Sequence, residues 1–347
     1  MSLKSYDSWL KAIVLLLIGY ISLTVTSIYL PIIVSIVLAF ILNPLVNYFC
    51  RLRYWPTGFE IGRGFAVLMA FGCGMIIFLI MGTFVILPFM HEFDKFIVDL
   101  PAMIVQIQEI SINLGHRASL LEMPANINNL IEQAIASAAS FSADFVRRVL
   151  QIILGFASSI VQLVVVPVLT YYFLKDGLVL KEKIIIMFAV DSRSRARQVI
   201  EDMANVISGY IRGQVLISVV IGVIVFSGMY ILEIDYPLVL GLLAACTETI
   251  PIIGPIVGSI PAIMLAFLIS PALAVKVILF YIIVHQIENH IVVPNIMGHT
   301  IAVHPVVVII SLLVGAQLFG IIGMMIAVPI AALLRIVIKQ LWNITER

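Results

Sequence analysis

Six stretches of this chain run without a single Asp, Glu, Lys or Arg: Ala12 to Cys50, Gly64 to Met90, Val149 to Leu174, Gly213 to Leu232, Thr249 to Val275 and Asn289 to Leu334. A helix that crosses a bilayer needs about 20 consecutive apolar residues, because the hydrocarbon core is about 30 Å thick and each residue rises about 1.5 Å. Every one of these stretches is therefore long enough for at least one span, and the first and last are long enough for two. With 62% hydrophobic and only 11% charged residues, a soluble core could not absorb this composition. The expected fold class is all-α: a polytopic integral membrane protein of about seven to eight transmembrane segments, two of them re-entrant and hairpin-like, in an inverted repeat. The first run continues through Leu30 and Pro31 into a second apolar segment and lacks a small-residue cleavage site, so it is expected to remain in the mature chain.

The few charges report orientation. Lys4 and Lys11 precede the first helix, and Arg51, Arg53 and Arg63 flank the turn after the second. Between Lys175 and Arg212 seven Lys/Arg face five acids, whereas between His91 and Arg148 four face seven. The positive-inside rule then places both termini in the cytoplasm and residues 91–148 outside. The expected location is the inner (plasma) membrane of a prokaryote. A net charge of +1 gives no field for nucleic acid. The three cysteines match no metal spacing, and neither a disulfide nor a metal site is expected.

Five segments are expected: helices one to three in 1–90, an external helical cap in 91–148, helix four in 149–175, a cytoplasmic amphipathic segment in 176–209, and a unit with an internal repeat in 210–341, its halves at 210–269 and 272–339. Helix one is expected over 10–28, helix two from a turn at Tyr29 to Pro31 as far as Tyr48, and helix three over 64–88, ended by Pro88. In the cap, Phe93, Ile97, Leu100, Ile104, Ile107 and Ile110 recur at helical spacing, as do Ile127, Leu130, Ile131 and Ile135. Helix four is expected to leave the membrane at Lys175 and Asp176. Ser192 is positioned to cap an amphipathic helix, and a separate helix five is expected over 210–232.

The repeat is visible in prolines. Pro237 and Pro305 are 68 residues apart, as are Pro261 and Pro329, and IIG at 252–254 has a partner at 321–323, one residue out of register. Each copy is a long apolar helix followed by two shorter arms joined at a Gly/Pro break. The arm from Tyr236 to Thr247 is too short to cross the bilayer, so each pair of arms is expected to form a re-entrant hairpin, with tips at Pro251, Gly254 and Pro255 and at Gly320 and Gly323. The two hairpins would enter from opposite sides, the plan on which secondary transporters build a site at mid-depth. Broken backbone is tolerated at that depth only where protein or a water-filled cavity receives its hydrogen bonds.

Glu248 stands beside the first break. An ionisable group inside the membrane costs about 2.5 to 3.5 kcal/mol on insertion scales, so Glu248 is the leading candidate for a coupling or substrate carboxylate. Gln286, Glu288 and Asn289, at the inner end of the next helix, are candidates for lining the same site. Arg212 and Gln214, in GYIRGQ, and Asp176 are possible supporting residues, though Arg212 and Asp176 serve equally well as markers of topology. His285, Glu288 and His290 approach a metalloprotease spacing, but with one residue too many. On a helix His285 and His290 diverge by about 140°. No phosphate-cradling glycine loop or hydrolase motif occurs. No enzyme activity and no cofactor are expected.

The succession YYFLKDG (171–177), YIRGQ (210–214), ETIPIIGPIVGSIPA (248–262), QIENHIVVPNIMG (286–298) and HPVVVIISLLVGAQLFGIIGMMIAVPIAA (304–332) resembles the autoinducer-2 exporter family, also called the PerM-type permeases. The likeness spans essentially the whole chain and shows no departure from the family's motif pattern. It implies a prokaryotic inner-membrane transporter working by alternating access. Some members of that family are described as exporters of the quorum-sensing signal autoinducer-2, others as sodium or lithium for proton antiporters. Expected partners are thus the lipid bilayer, a small polar solute, Na+/H+, and further copies of the chain in a homo-oligomer. A reading from another class is a non-transporting membrane scaffold or receptor whose cap binds a partner.

Overall fold

The computed structural model describes residues 29–52, 62–120, 164–298 and 304–341. The expected helix one, the second half of the cap and the start of helix four lie outside these residues. The described residues form helices and no strand: α1 (Tyr29–Arg51), α2 (Arg63–Met81), α3 (Leu87–Leu120), α4 (Val165–Ile186), α5 (Arg193–Ile231), α6 (Pro237–Thr247), α7 (Ile253–Ile269), α8 (Pro271–Ile287), α9 (Val293–Met297) and α10 (Pro305–Leu341). Among the described residues five helical runs are long and apolar enough to cross a membrane, namely Pro31–Arg51, Arg63–Asp99, Val190–Ile231, Pro271–Met297 and Pro305–Gln340. The chain is an all-α polytopic membrane protein.

Several expected helix ends are not ends. Helix three does not stop at Pro88, because α2 and α3 are joined without a break by a π turn at Gly82–Ile86. The same device recurs at Glu288–Val292, between α8 and α9, and there too a proline, Pro294, follows the turn. Proline lacks an N–H and its ring collides with the carbonyl four residues back. A π turn moves that carbonyl aside by adding a residue to the turn, so the helix continues. The first helix of the expected cap thus continues directly from a helix long and apolar enough to cross a membrane. Helix four likewise runs past Lys175 and Asp176 to Ile186, since a Lys and an Asp inside a helix carry no stop signal. Ser192 does sit at the N-cap of α5, without a side-chain cap bond, but the amphipathic segment and helix five are one helix, Arg193–Ile231. The turn expected at Tyr29 to Pro31 is already the first turn of α1, where a proline costs no hydrogen bond.

The chain divides into two compact units. In the first, α1, the part of α2 up to Cys73 and α4 up to Glu182 pack around Val46, Ala66, Val67, Ala70 and Leu174. Polar side chains bind these helices where they lie in apolar surroundings. Ser35 Oγ donates to the carbonyls of Pro31 (2.6 Å) and Val166 (3.2 Å), and Thr170 Oγ1 donates to the Ser35 carbonyl (3.3 Å). Arg63 Nε donates to the Leu174 carbonyl at 2.6 Å. The Lys175 ammonium lies 5.6 Å from the centre of the Tyr171 ring, within cation–π range.

The second unit takes α2 from Gly74, α3 and everything from Lys183 onward among the described residues. Its core gathers Phe93 and Phe96 of α3, Ile217, Ile221, Val225 and Met229 of α5, Val239 and Leu240 of α6, Ala262 and Ala266 of α7, and Val277, Tyr281 and Val284 of α8. The α5–α6 crossing is close because small residues meet there. A Cβ added at Gly222 would lie 3.1 Å from the Gly241 carbonyl oxygen, and one at Gly241 would lie 2.9 Å from that of Gly222. Contacts of this kind hold helices together where lipid supplies no hydrophobic drive.

Both expected hairpins are present as pairs of arms. The first consists of α6 and α7 with a break at Glu248–Ile252. The 11 residues of α6 make a helix of about 16 Å, too short for a span. The second lies within α10, whose backbone leaves helical geometry at Phe319 and Gly320. In the first, Gly254 and Gly258 pack against Thr247, and in the second Gly323 and Ala327 meet Gly315. The two sets are related by 68 or 69 residues, the same offset as the prolines.

Candidate functional site

The first break is made by a strained turn. Ile253 N–H donates to the Pro251 carbonyl at 2.8 Å, with Ile252 between them at φ 70°, ψ −50°. This is the rare γ-turn with positive φ, unfavourable for any L-residue and more so for a β-branched one. Its counterpart 68 residues later is Gly320, at φ 60°. The second tip thus meets the need for positive φ with a glycine, while the first meets it with an isoleucine. Replacing Ile252 by Gly removes the strain, and we expect the variant to be more stable by about 1 kcal/mol, after allowing for glycine's greater freedom in the unfolded chain. A thermal or denaturant melt in detergent checks this, and a loss of stability would refute the assignment of strain.

Around this turn the chain places a carboxylate in the interior. Glu248 is the C-cap of α6 and is only 3% exposed. Its backbone, rather than its carboxyl, is what the fold grips. Gln214 Nε2 of α5 donates to the Glu248 carbonyl at 2.6 Å, while Glu248 Oε2 is buried without a hydrogen-bond partner. Among the described residues the charged group that acts on it is the Glu288 carboxyl, itself 7% exposed. Glu288 opens the π turn after α8, and His285, one helical turn earlier, places Nδ1 3.1 Å from Glu288 Oε2. His285 is partly exposed, so His285, Glu288 and Glu248 form a line of polar groups from an exposed edge into the interior.

Beside this line lies a small cavity bordered by Ile221, Ala244, Thr247, Glu248, Pro255, Gly258, Tyr281, Val284 and His285. Its walls are mostly apolar and its size suits one water-sized group. Two carboxylates confined in such a place repel strongly as bare anions, because little water is there to screen them. The pair is electrically satisfied when a proton or a small cation is held between the two groups. Two further buried polar atoms in this unit, the Tyr210 hydroxyl and Ser218 Oγ, are without hydrogen-bond partners.

The structure brings together Glu248, Glu288 and Gln214, and it gathers Pro251, Gly254 and Pro255 at the first tip and Gly320 and Gly323 at the second. Gln286 and Asn289 are exposed, directed away from Glu248, because only one of three near-neighbours on a helix can face inward. Arg212 is exposed on α5, and Asp176 lies in α4 within the first unit. His290 is exposed, with Nδ1 3.0 Å from the Gln286 carbonyl oxygen. Sequence reasoning did not place His285 among the candidate site residues, although it opens the polar stretch HQIENH. Its separation of three residues from Glu288 on a helix was the available signal.

A family model described as AI-2E family transporter matches residues 11–343. Among similar proteins, YrrI of Bacillus subtilis (strain 168), provisionally named a transport protein, is 26% identical, the match covering 90% of this chain and 86% of YrrI. PerM of Escherichia coli (strain K12), provisionally named a permease, is 27% identical over 89% of this chain and 86% of PerM. A sodium-lithium/proton antiporter of Halobacillus andaensis is 23% identical over 93% of this chain and 92% of its own. With nearly its whole length matched by the family model, this chain belongs to the AI-2E family of membrane transporters.

Proposed function

We propose that this protein is a secondary transporter working by alternating access, in which Glu248 and Glu288 hold the coupling cation and the two hairpins gate the path of a small polar solute. The observation that carries this reading is the placement of two buried carboxyls against each other at a helix break, beside a cavity of water size. A fold gains no stability from bringing unpaired carboxylates together, since each carries a desolvation cost of several kcal/mol. Such an arrangement has a use when occupancy by a proton or cation changes during a cycle. Residues 210–341 would be the moving unit and the preceding helices its scaffold, with both termini cytoplasmic. Gln286 and Asn289 would meet the solute when the inner side is open. The exposed apolar side chains of α2, among them Met75, Ile76, Phe78 and Leu79, suit lipid or a second copy in a homo-oligomer.

For the solute itself two readings stand. Export of autoinducer-2 or a similar small polar molecule follows from the family name. Sodium or lithium exchange for protons is favoured by the small size of the cavity, which suits a water-sized group, and by the name of the Halobacillus relative. Reconstituted liposomes separate them. With a pH-sensitive dye inside, an imposed sodium or lithium gradient is expected to move protons if ions are the cargo. If a polar solute is the cargo, its flux follows an imposed proton gradient and no cation-driven pH change appears. Absence of both, with correctly inserted protein, would overturn the transporter reading.

A further inference from the structure

The arm that carries Glu248 is anchored at its other end by a residue from a distant helix. α6 begins at Pro237, and its N-cap residue, Tyr236, makes no side-chain cap bond. The first N–H groups of a helix have no partner within it and must be met from elsewhere. Here Glu92 of α3 meets them. Its Oε2 accepts from Leu238 N–H at 3.0 Å and from Val239 N–H at 3.2 Å. A carboxylate is also the group best suited to the positive end of a helix. Two turns further along α3, Asp99 Oδ2 accepts from the Tyr236 hydroxyl, and one turn along, Phe96 packs edge-on against the Tyr236 ring at 5.4 Å. Burial, with the hydrogen bond to Asp99, pushes the Tyr236 hydroxyl up to about 12, so it remains a donor.

The turn that leads into α6 is strained. Glu233 and Tyr236, neither of them glycine, have φ of 55° and 60°. A backbone in that region persists only where surrounding contacts outweigh its cost. At Glu233 they close the end of α5, where Ile234 N–H donates to the Met229 carbonyl at 2.9 Å; at Tyr236 they include Phe96 and Asp99 of α3. Glu92 and Asp99 also differ in kind from the apolar core beside them, because Glu92 is only half-buried and Asp99 is exposed. Such hydrogen bonds are readily exchanged for bonds to water when the partner moves, whereas a buried apolar contact is not.

We infer that Glu92, with Asp99, is a clasp that holds the first hairpin's arm on α3, sets the position of Glu248 at the far end of α6, and must release for the hairpin to open. Glu92 is a positioning residue: it touches no part of the carboxyl pair, and a rigid helix of about 16 Å transmits its hold. The release step rests on the alternating-access reading above, while the clasp itself does not.

Two measurements test this separately. Hydrogen exchange is followed by mass spectrometry on the full chain in lipid nanodiscs, for wild type, Glu92→Ala, Glu92→Gln and Tyr236→Phe. Exchange in a peptide covering residues 237–243 is expected to rise on the order of tenfold in Glu92→Ala, and less in Glu92→Gln, which keeps an acceptor oxygen. Peptides from α8 serve as the control and stay unchanged. Unaltered exchange at 237–243 in Glu92→Ala overturns the clasp, whether or not the protein transports anything. For release, Glu92→Cys and Val239→Cys are combined in a chain whose native cysteines are replaced, and flux is measured in liposomes before and after oxidation. Flux is expected to stop on cross-linking and return on reduction. Undiminished flux from fully cross-linked protein overturns the release step. Absence of flux from wild-type protein counts against the transporter reading, and the exchange result still decides the clasp.

Discussion

Glu248→Gln is expected to lower coupled flux on the order of a hundredfold or more while leaving the protein folded and inserted. The size follows from the cost of removing one partner from a buried charged group, about 3 to 5 kcal/mol, applied to the occupancy of a cation held between two carboxyls. The retained fold follows from how Glu248 is held. Gln214 binds its backbone carbonyl, and the backbone N–H of Glu248 donates to the Ala244 carbonyl at 2.9 Å, so the side chain is not what anchors the break. An amide of the same shape also avoids burying a negative charge, so the melting temperature in detergent should be equal to or above that of wild type. Flux in liposomes and a melt of the same preparation check both halves. Unchanged flux would remove Glu248 from the mechanism, and loss of flux accompanied by unfolding would mean that its carboxyl is structural after all.

The second large effect is expected at the hairpin tips. A Cβ added at Gly254 would lie 1.9 Å from the Thr247 carbonyl oxygen, and one at Gly323 would lie 1.9 Å from that of Gly315. In both cases the obstacle is backbone, which cannot rotate away as a side chain could. Alanine at either position must therefore push the two arms apart, at a cost of about 3 kcal/mol or more. Gly72 of α2, where an added Cβ meets nothing within 4 Å, is the matched control. There alanine should be neutral, or stabilising by up to about 1 kcal/mol, because it is the better helix former. Thermal melts of the three variants decide the matter. Equal tolerance at Gly254 and Gly72 would mean that the arms are not in contact. Similar losses at Gly254 and Gly323 would bear on the repeat itself, since these glycines occupy equivalent places in the two copies.

Much of this was readable from local chemistry. The breaks at 248–252 and near Gly320 follow from Gly and Pro in an otherwise apolar run, and the shortness of the Tyr236 to Thr247 arm follows from counting residues. Glu248 stood out because a carboxylate in such a run is costly wherever the chain folds. The helix ends were less legible. Pro88 reads as a stop, because a single proline in an α-helix is one, and nothing in the letters announces the π turns that precede Pro88 and Pro294. Ile252 was also hidden, since a positive φ at a β-branched residue is held by its neighbours and opposed by its own preference.

What the amino-acid order determined by itself is the class of protein, the sites of the breaks and the identity of one buried acid, all of which depend on transfer from water to lipid and on backbone propensity. The tertiary structure alone decided which groups face that acid. Glu288 points inward while Gln286 and Asn289 point out, His285 reaches Glu288, and Glu92 supplies the missing cap of α6 from 146 residues away. The physical reason is that facing is a matter of helix rotation and of contacts between distant segments. One added residue in a π turn swings everything after it by about 100°, and no short-range rule records which helix will lie opposite.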